Sequence, residues 1–463
     1  MATGLSEGTE ALGRGGGPLG PEAAAQLPAP PTVPLPSAIQ LLRYRRRQIE
    51  FVFRARRELG DVFAMRTGDP AAEVMTGHPE DAARLLTAPP EQAHSTAGES
   101  PVRPIIGPSS VLTAIGDRHL RQRKLLLPHF HGEAIGRYTE AIAAATEREI
   151  SSWPLNQPFP LAPRMQGITL DVIMAGIFGI EGRPRRGTVE QRLRATTRRM
   201  VELTTKPAGQ LVELMNARSP EPVGLSRPLL RILERPFDQM IEQRRRAGDL
   251  AERRDILSLL LGARTEGGET LTAEEVRAEL LALVLAGHET TANSLAWTWE
   301  RLLRNPAAHE RLRDAVRGEG DGDAVVEQTI LEAMRSRPVV PLTGRRVQVP
   351  WQLGPYAVPA GTGILVSILL VHHREDLYPE PFEFRPQRWA ERKPRGGEWL
   401  AFGGGIRRCL GASLAMAQQR VVLEAMARRL DLECDDPAPE RALHRNITMI
   451  PARGGRVIVR CRR

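Results

Sequence analysis

Cysteine is scarce in this chain: its 463 residues hold three, Cys409, Cys434 and Cys461. Three thiols cannot build a disulfide framework at this length, which excludes the disulfide-stapled secreted class. No secretory h-region is visible, so a cytoplasmic, reducing location is expected. Uninterrupted apolar runs of about 18 residues are also missing, so no membrane-spanning helix is expected. Aromatic residues make up only 4%, and the core must therefore rest on Leu, Ala, Val and Ile. Lysine is nearly absent (Lys124, Lys206, Lys393), so arginine carries almost all of the positive charge behind the formal +9. That pattern fits either a compositional bias or a basic docking face for an acidic partner. Nucleic-acid binding is not expected. Arginine is interleaved with Glu and Asp, and no aromatic-plus-basic module motif appears.

What is present is ordinary globular material, 41% hydrophobic and 26% charged, enough for a large core. Residues 1–36 are rich in Gly, Ala and Pro and read as a flexible leader ending in the Pro-rich Leu27–Pro36; residues 37–463 form the folded part. An amphipathic helix is expected over Ile39–Leu59. A β-hairpin follows, Val62–Thr67 and Glu73–Thr76, turning at Gly68-Asp69-Pro70. The Pro-, Ser- and Gly-rich Thr87–Ser110 reads as a long functional loop. Helical periodicity dominates Asp117–Arg304, with breaks at Pro154–Pro163 and Lys206–Pro228. One helix is sharply marked: Thr272 with Glu275 makes a capping box, and Leu271–Leu303 runs about nine turns to Asn305-Pro306. Its stretch Leu280–Ala286 is apolar on nearly every side, so it should cross the centre of the protein. Further helices are expected over Ala324–Arg337 and Ala412–Leu430, and strands at Tyr356–Val358 and Gly363–Leu370. An irregular stretch, Tyr378–Gly397, lies between. Hairpin-like strands at Asn446–Ile450 and Arg456–Val459 close the chain. The fold class is mainly α with a smaller β region, one large domain around a long central helix.

Chemistry concentrates in the loop Phe402-Gly403-Gly404-Gly405-Ile406-Arg407-Arg408-Cys409-Leu410-Gly411. A lone cysteine in a helical protein is commonly a small buried hydrophobe. Here glycines permit turns that aim N–H groups inward. A helix starts just after the cysteine, and its dipole favours a thiolate. Such a thiolate can ligate a soft or borderline metal. The glycines do not spell a dinucleotide fingerprint, because the third glycine position is Arg408. A second motif, Ala286-Gly287-His288-Glu289-Thr290-Thr291, lies inside the central helix. It is no zinc His-Glu-x-x-His, since position 292 is Ala. Glu289 and Thr290 point about 100° apart on an ideal helix. A helix locally opened at Gly287 would let both approach one site, with Thr290 bonding the carbonyl of Ala286. A third motif, Glu332-Ala333-Met334-Arg335, sets two charges on one helix face.

Phe402, Gly405, Arg407, Cys409 and Gly411 resemble the haem-thiolate loop of the cytochrome P450 family. The resemblance implies that Cys409 is the proximal ligand of haem b (iron protoporphyrin IX), the thiolate pushing electron density onto the iron. It implies that Glu289 and Thr290 relay protons to dioxygen at the haem. It also implies that Glu332, Arg335 and Arg388 form a structural triad, although Gln387 stands where the family often has Glu. His119, Arg123, Arg345 and Arg407 match the family's propionate-binding cations, with Arg346 an alternative register for Arg345. Paired guanidinium–carboxylate bonds are the strong kind.

The resemblance implies a monooxygenase that inserts one atom of O2 into a hydrophobic substrate of fatty acid, terpene or steroid class. Few residues follow Cys409, so no fused reductase is expected and electrons should come from a ferredoxin or flavodoxin with its reductase. Arg408, Arg420, Arg428 and Arg429 are a candidate docking cluster for it. The pocket is expected from the Thr87–Ser110 loop, Lys206–Pro228, the helix near Ala282 and Ala286, Val339–Thr343 and Thr448–Ile450. Two other readings stay open: a peroxide-dependent or isomerising haem-thiolate enzyme, and a non-catalytic haem sensor or carrier.

Overall fold

The capping box forms as written. Thr272 Oγ1 accepts the N–H of Glu275 at 3.2 Å, and the Glu275 carboxylate accepts the N–H of Thr272 at 3.0 Å. From this start a helix runs Ala273–Leu302, about 45 Å long at 1.5 Å per residue. The computed structural model describes residues 16–66, 73–100, 102–182, 184–205, 226–264, 268, 270–318 and 321–463. The expected turn at Gly68-Asp69-Pro70, most of the Lys206–Pro228 break and the first 15 residues of the expected leader lie outside them.

The described residues group into two compact units that interleave along the chain. The larger comprises residues 97–340, 382–393 and 409–463 and is mostly helical. The central helix packs along Ala162–Phe178 and is flanked by Ser226–Ala247, Gly322–Ser336 and Ala412–Arg429. Leu280, Leu281, Ala282, Val284, Leu295, Trp297 and Trp299 of this helix are all buried. That is why its sequence shows so little amphipathic contrast: partners cover it on most sides. Phe130, Met174, Phe178, Phe237 and Leu260 complete the core beside it.

Two small sheets close this unit. Arg456–Arg462 pairs antiparallel with both Leu430–Cys434 and Pro158–Pro160. Thr448–Pro451 pairs instead with Ala442–Arg445. The expected hairpin between Asn446–Ile450 and Arg456–Val459 is therefore corrected. The turn sits at Asn446, whose φ of 52° is a left-handed conformation that Asn tolerates. Period-two patterning marks a strand but does not name its partner.

The smaller unit comprises residues up to 96, 341–381 and 394–408. Its five-stranded sheet runs Val62–Met65, Glu73–Thr76, Gly363–Ser367, Leu342–Val347, Ala93–Ser95. The first two strands pair antiparallel as expected, and Glu73–Thr76 pairs parallel with Gly363–Ser367. The helix expected over Ile39–Leu59 is two helices, Ser37–Arg46 and Gln48–Leu59, broken at Arg47 (φ −144°, ψ 57°). From Gly16 onward the segment expected to be a flexible leader is tied to this unit. Gly17-Pro18 pairs with Trp351-Gln352, Val33 is buried, and the carbonyl of Pro31 accepts from Ala64 N at 2.8 Å. Proline-rich backbone has carbonyls to offer a neighbouring strand even where it lacks N–H groups. The long Thr87–Ser110 segment likewise holds short elements, the strand Ala93–Ser95 and the helix Arg103–Ile106.

Candidate functional site

In the larger unit, Cys409 stands exposed three residues before the helix Ala412–Arg429. The first turn of that helix closes through Ala415 N to Gly411 O at 2.8 Å. A thiol so placed feels the positive end of the helix dipole, which favours its anionic form.

The smaller unit holds the residues just before it. Gly405 has φ +64°, and a Cβ there would fall 1.9 Å from the carbonyl oxygen of Leu86, so no side chain fits. Gly403 N bonds Leu400 O at 2.7 Å, and Leu400 N bonds His372 Nε2 at 2.7 Å. His372 stacks on Trp399, which meets Phe402 edge-on. The glycine loop is thus braced from below by a ring stack. Arg407 is half-buried within it.

The carbonyl of Leu86 also accepts from Arg345 Nη2 at 3.3 Å, and Gly344 O accepts from Nη1 at 2.9 Å. Arg345 is only 3% exposed, while its strand neighbour Arg346 turns outward to Gly361 O. Burial lowers the Arg345 pKa to about 10, which leaves it cationic at neutral pH. No carboxylate among the described residues pairs with it. A buried guanidinium met only by carbonyls calls for an anion. A haem propionate is such an anion, so the surroundings of Arg345 in the smaller unit fit that group. Within the larger unit, the exposed thiol of Cys409 is by its chemistry a suitable iron ligand.

On the central helix, Thr290 Oγ1 donates to Ala286 O at 2.6 Å, the bond read from the sequence. The helix is α-helical straight through Gly287, so the expected opening there is corrected. A threonine hydroxyl reaches the i−4 carbonyl without any break. Ala286 is exposed in mid-helix although Val284 and Ala292 are buried, so one stripe of the helix faces open space. Glu289 does not join Thr290. Its carboxylate accepts from Arg445 Nε at 2.9 Å, from Arg445 Nη2, and from Thr448 Oγ1 at 3.3 Å. The neighbouring His288 is buried, its Nδ1 2.9 Å from Thr169 Oγ1, and burial pushes its pKa down to about 4. His119 (buried) and Arg123 (half-buried) share a face of the helix Gly116–Leu126.

The triad forms. Glu332 accepts from Arg335 Nε at 2.8 Å and Nη2 at 2.9 Å, from Arg388 Nε at 3.1 Å, from Trp389 Nε1 at 3.0 Å and from the N–H of Arg385 at 2.8 Å. The Gln387 departure is offset by Trp389 and this backbone donor, neither of which the sequence signalled. Arg420, Arg428 and Arg429 pair with Glu327, Glu424 and Glu147. All three stay exposed to solvent while paired. Arg445 carried no signal either, being one arginine among many. Among the described residues no helix is long and apolar enough to cross a membrane.

A family model described as Cytochrome P450 matches residues 28–459. Cytochrome P450 137 of Mycobacterium tuberculosis is 37% identical over 391 residues, covering 81% of this chain and 78% of the relative. Cytochrome P450 138 of the same organism is 34% identical over 450 residues, covering 95% and 100%. Among solved structures, cyanobacterial CYP120A1 with retinoic acid bound superposes with a TM-score of 0.77 at 21% identity, covering 94% of this chain and 99% of that one. The haem domain of cytochrome P450DA gives 0.77 at 20%, covering 94% and 98%. These two show the fold. The chain belongs to the cytochrome P450 family: it is an oxidoreductase with haem b as cofactor and acts as a haem-thiolate monooxygenase.

Proposed function

We propose that Cys409 ligates the haem iron and that the substrate is a hydrophobic molecule of fatty acid, terpene or steroid class. Haem b, when bound, supplies the one-electron and O2 chemistry that puts one oxygen atom into substrate and the other into water. The observation that carries the ligand assignment is the exposed Cys409 thiol at the head of Ala412–Arg429, after a loop in which only glycine fits at position 405. Arg345 and Arg407, with His119 and Arg123, are the cations proposed for the propionates. Thr290 holds a hydroxyl at the open stripe beside Ala286 and serves proton delivery there. Glu289 serves the same delivery, and Arg445 must loosen its hold for the carboxyl to turn inward. The aliphatic and small residues Ala282, Ala286, Val339, Val340, Met449 and Ile450 support an apolar substrate.

Electrons are proposed to come from a ferredoxin or flavodoxin with its reductase. The scarcity of cysteine, three in 463 residues, supports a reducing, cytoplasmic location. The test is the optical spectrum of the reduced, carbon monoxide-bound protein. A Soret band shifted far to the red is expected, and Cys409→Ser should abolish that shift. A wild-type spectrum typical of imidazole ligation would reject the assignment.

A further inference from the structure

Glu279 is a fully buried carboxyl, 1% exposed, that neither the triad nor the proton-delivery residues use. Its partner is a single backbone group: the N–H of Val111 lies 2.9 Å from Oε1 and 3.1 Å from Oε2. No cation pairs with it among the described residues. A buried carboxyl spent on one amide of a loop 168 residues away is expensive as mere packing.

The loop it holds is a small body of its own. Gly107 turns with φ +72°. Thr113 Oγ1 donates to Gly107 O at 2.6 Å and lies 2.9 Å from Ser110 Oγ, and Ala114 N bonds Ser110 O at 2.8 Å. Gln122 reaches the carbonyl of Ser109. Residues 107–114 can therefore move together, and the Val111 N–H ties them to the central helix at Glu279, beside the apolar packing of Val111 and Leu112. One turn earlier, Glu275 pairs with Arg118 at 2.7 Å. On an ideal helix Glu279, Leu283, Ala286 and Thr290 fall within about 60° of arc, so the loop is pinned at one end of the stripe that carries Thr290.

We propose that Glu279 is a positioning residue for substrate entry: its carboxyl pins residues 107–114 over the open stripe of the central helix, and loss of its proton releases them. The pinning rests on the hydrogen bonds of Glu279 and of the loop, and the role in entry rests on the haem-thiolate reading above. Burial pushes the Glu279 pKa up from 4.5 to about 8, against the opposing pull of the Val111 N–H and of Arg118, while Glu275 adds to the rise. The pinned state thus holds the proton more tightly than the released, hydrated state. Pinning is fully favoured below pH about 4.5 and its advantage is lost as pH rises through about 8.

The test is hydrogen exchange of amides 107–114 in the haem-loaded protein, corrected for intrinsic rates, with the rate at which 4-phenylimidazole reaches the haem. Between pH 7 and pH 9 wild-type protection should fall roughly tenfold, and probe entry should speed up in step. Glu279→Gln should stay protected and flat with pH, whereas Glu279→Ala should be unprotected at both. Equal protection in wild type and Glu279→Ala, or a pH slope that survives in Glu279→Gln, would overturn the proposal. A loop that loosens without faster probe entry would overturn the role in entry. Exchange needs no thiolate-ligated iron, so a failed carbon monoxide spectrum would strike the haem assignment and leave the exchange result readable.

Discussion

Arg445 donates through Nε to the carboxylate of Glu289 at 2.9 Å, joining the C-terminal hairpin to the middle of the central helix across 156 residues. The two side chains are 10% and 13% exposed. Removing one partner leaves a largely desolvated charge on the other. Arg445→Met should therefore cost about 2–4 kcal/mol of unfolding free energy. Pairing it with Glu289→Gln should recover part of that loss. A denaturant double-mutant cycle measures the coupling; additive costs would mean that the pair contributes nothing.

Thr290→Ala removes the one hydroxyl on the open stripe. Without it, electrons should still be drawn from the reductant but should end largely as hydrogen peroxide, and Thr290→Ser should restore coupling. The ratio of product to reductant consumed, with peroxide assayed in parallel, decides this. Unchanged coupling in Thr290→Ala would take the residue out of the reaction.

Glu332→Gln keeps the shape of the triad and deletes its only negative charge. Arg335 and Glu332 are 0% exposed, so two guanidinium groups would lose the charge of this shared carboxylate inside the protein. A loss of about 3–5 kcal/mol is expected, a large part of a typical total stability. Thermal unfolding of purified protein measures it. A shift within error of wild type would show that Trp389 and the N–H of Arg385 suffice to hold the loop.

His288 gives a pH dependence of definite sign. Its pKa is lowered by burial from 6.5 to about 4. The group therefore adds stability above pH about 6.5, and that contribution is lost as pH falls towards 4. At pH 5 wild type should be about 2 kcal/mol less stable than at pH 7.5 through this residue alone. His288→Asn should lack that component. Urea midpoints for the two proteins at both pH values provide the comparison.

The sequence by itself determined what is local. Thr272, Glu275 and the apolar stretch after them specify a long buried helix, because capping and periodicity act between residues a few positions apart. The glycines around Cys409 announced a backbone that must turn sharply before a helix. Glu332 and Arg335 share a face by spacing alone, and so do His119 and Arg123. Each was legible because covalent connection fixes the separation.

Tertiary structure decided everything that depends on where distant backbone runs. It chose Ala442–Arg445 as the partner of Thr448–Pro451, a choice that alternating side chains leave open. It turned Arg345 inward and Arg346 outward. It drew Glu289 to Arg445 and away from Thr290, and it set Glu279 against the amide of Val111. A carboxylate or guanidinium has the same formula whether solvated or buried. Only the packed chain settles which groups lose water, and that loss is what turns an ordinary charge into a latch, an anchor or a constraint.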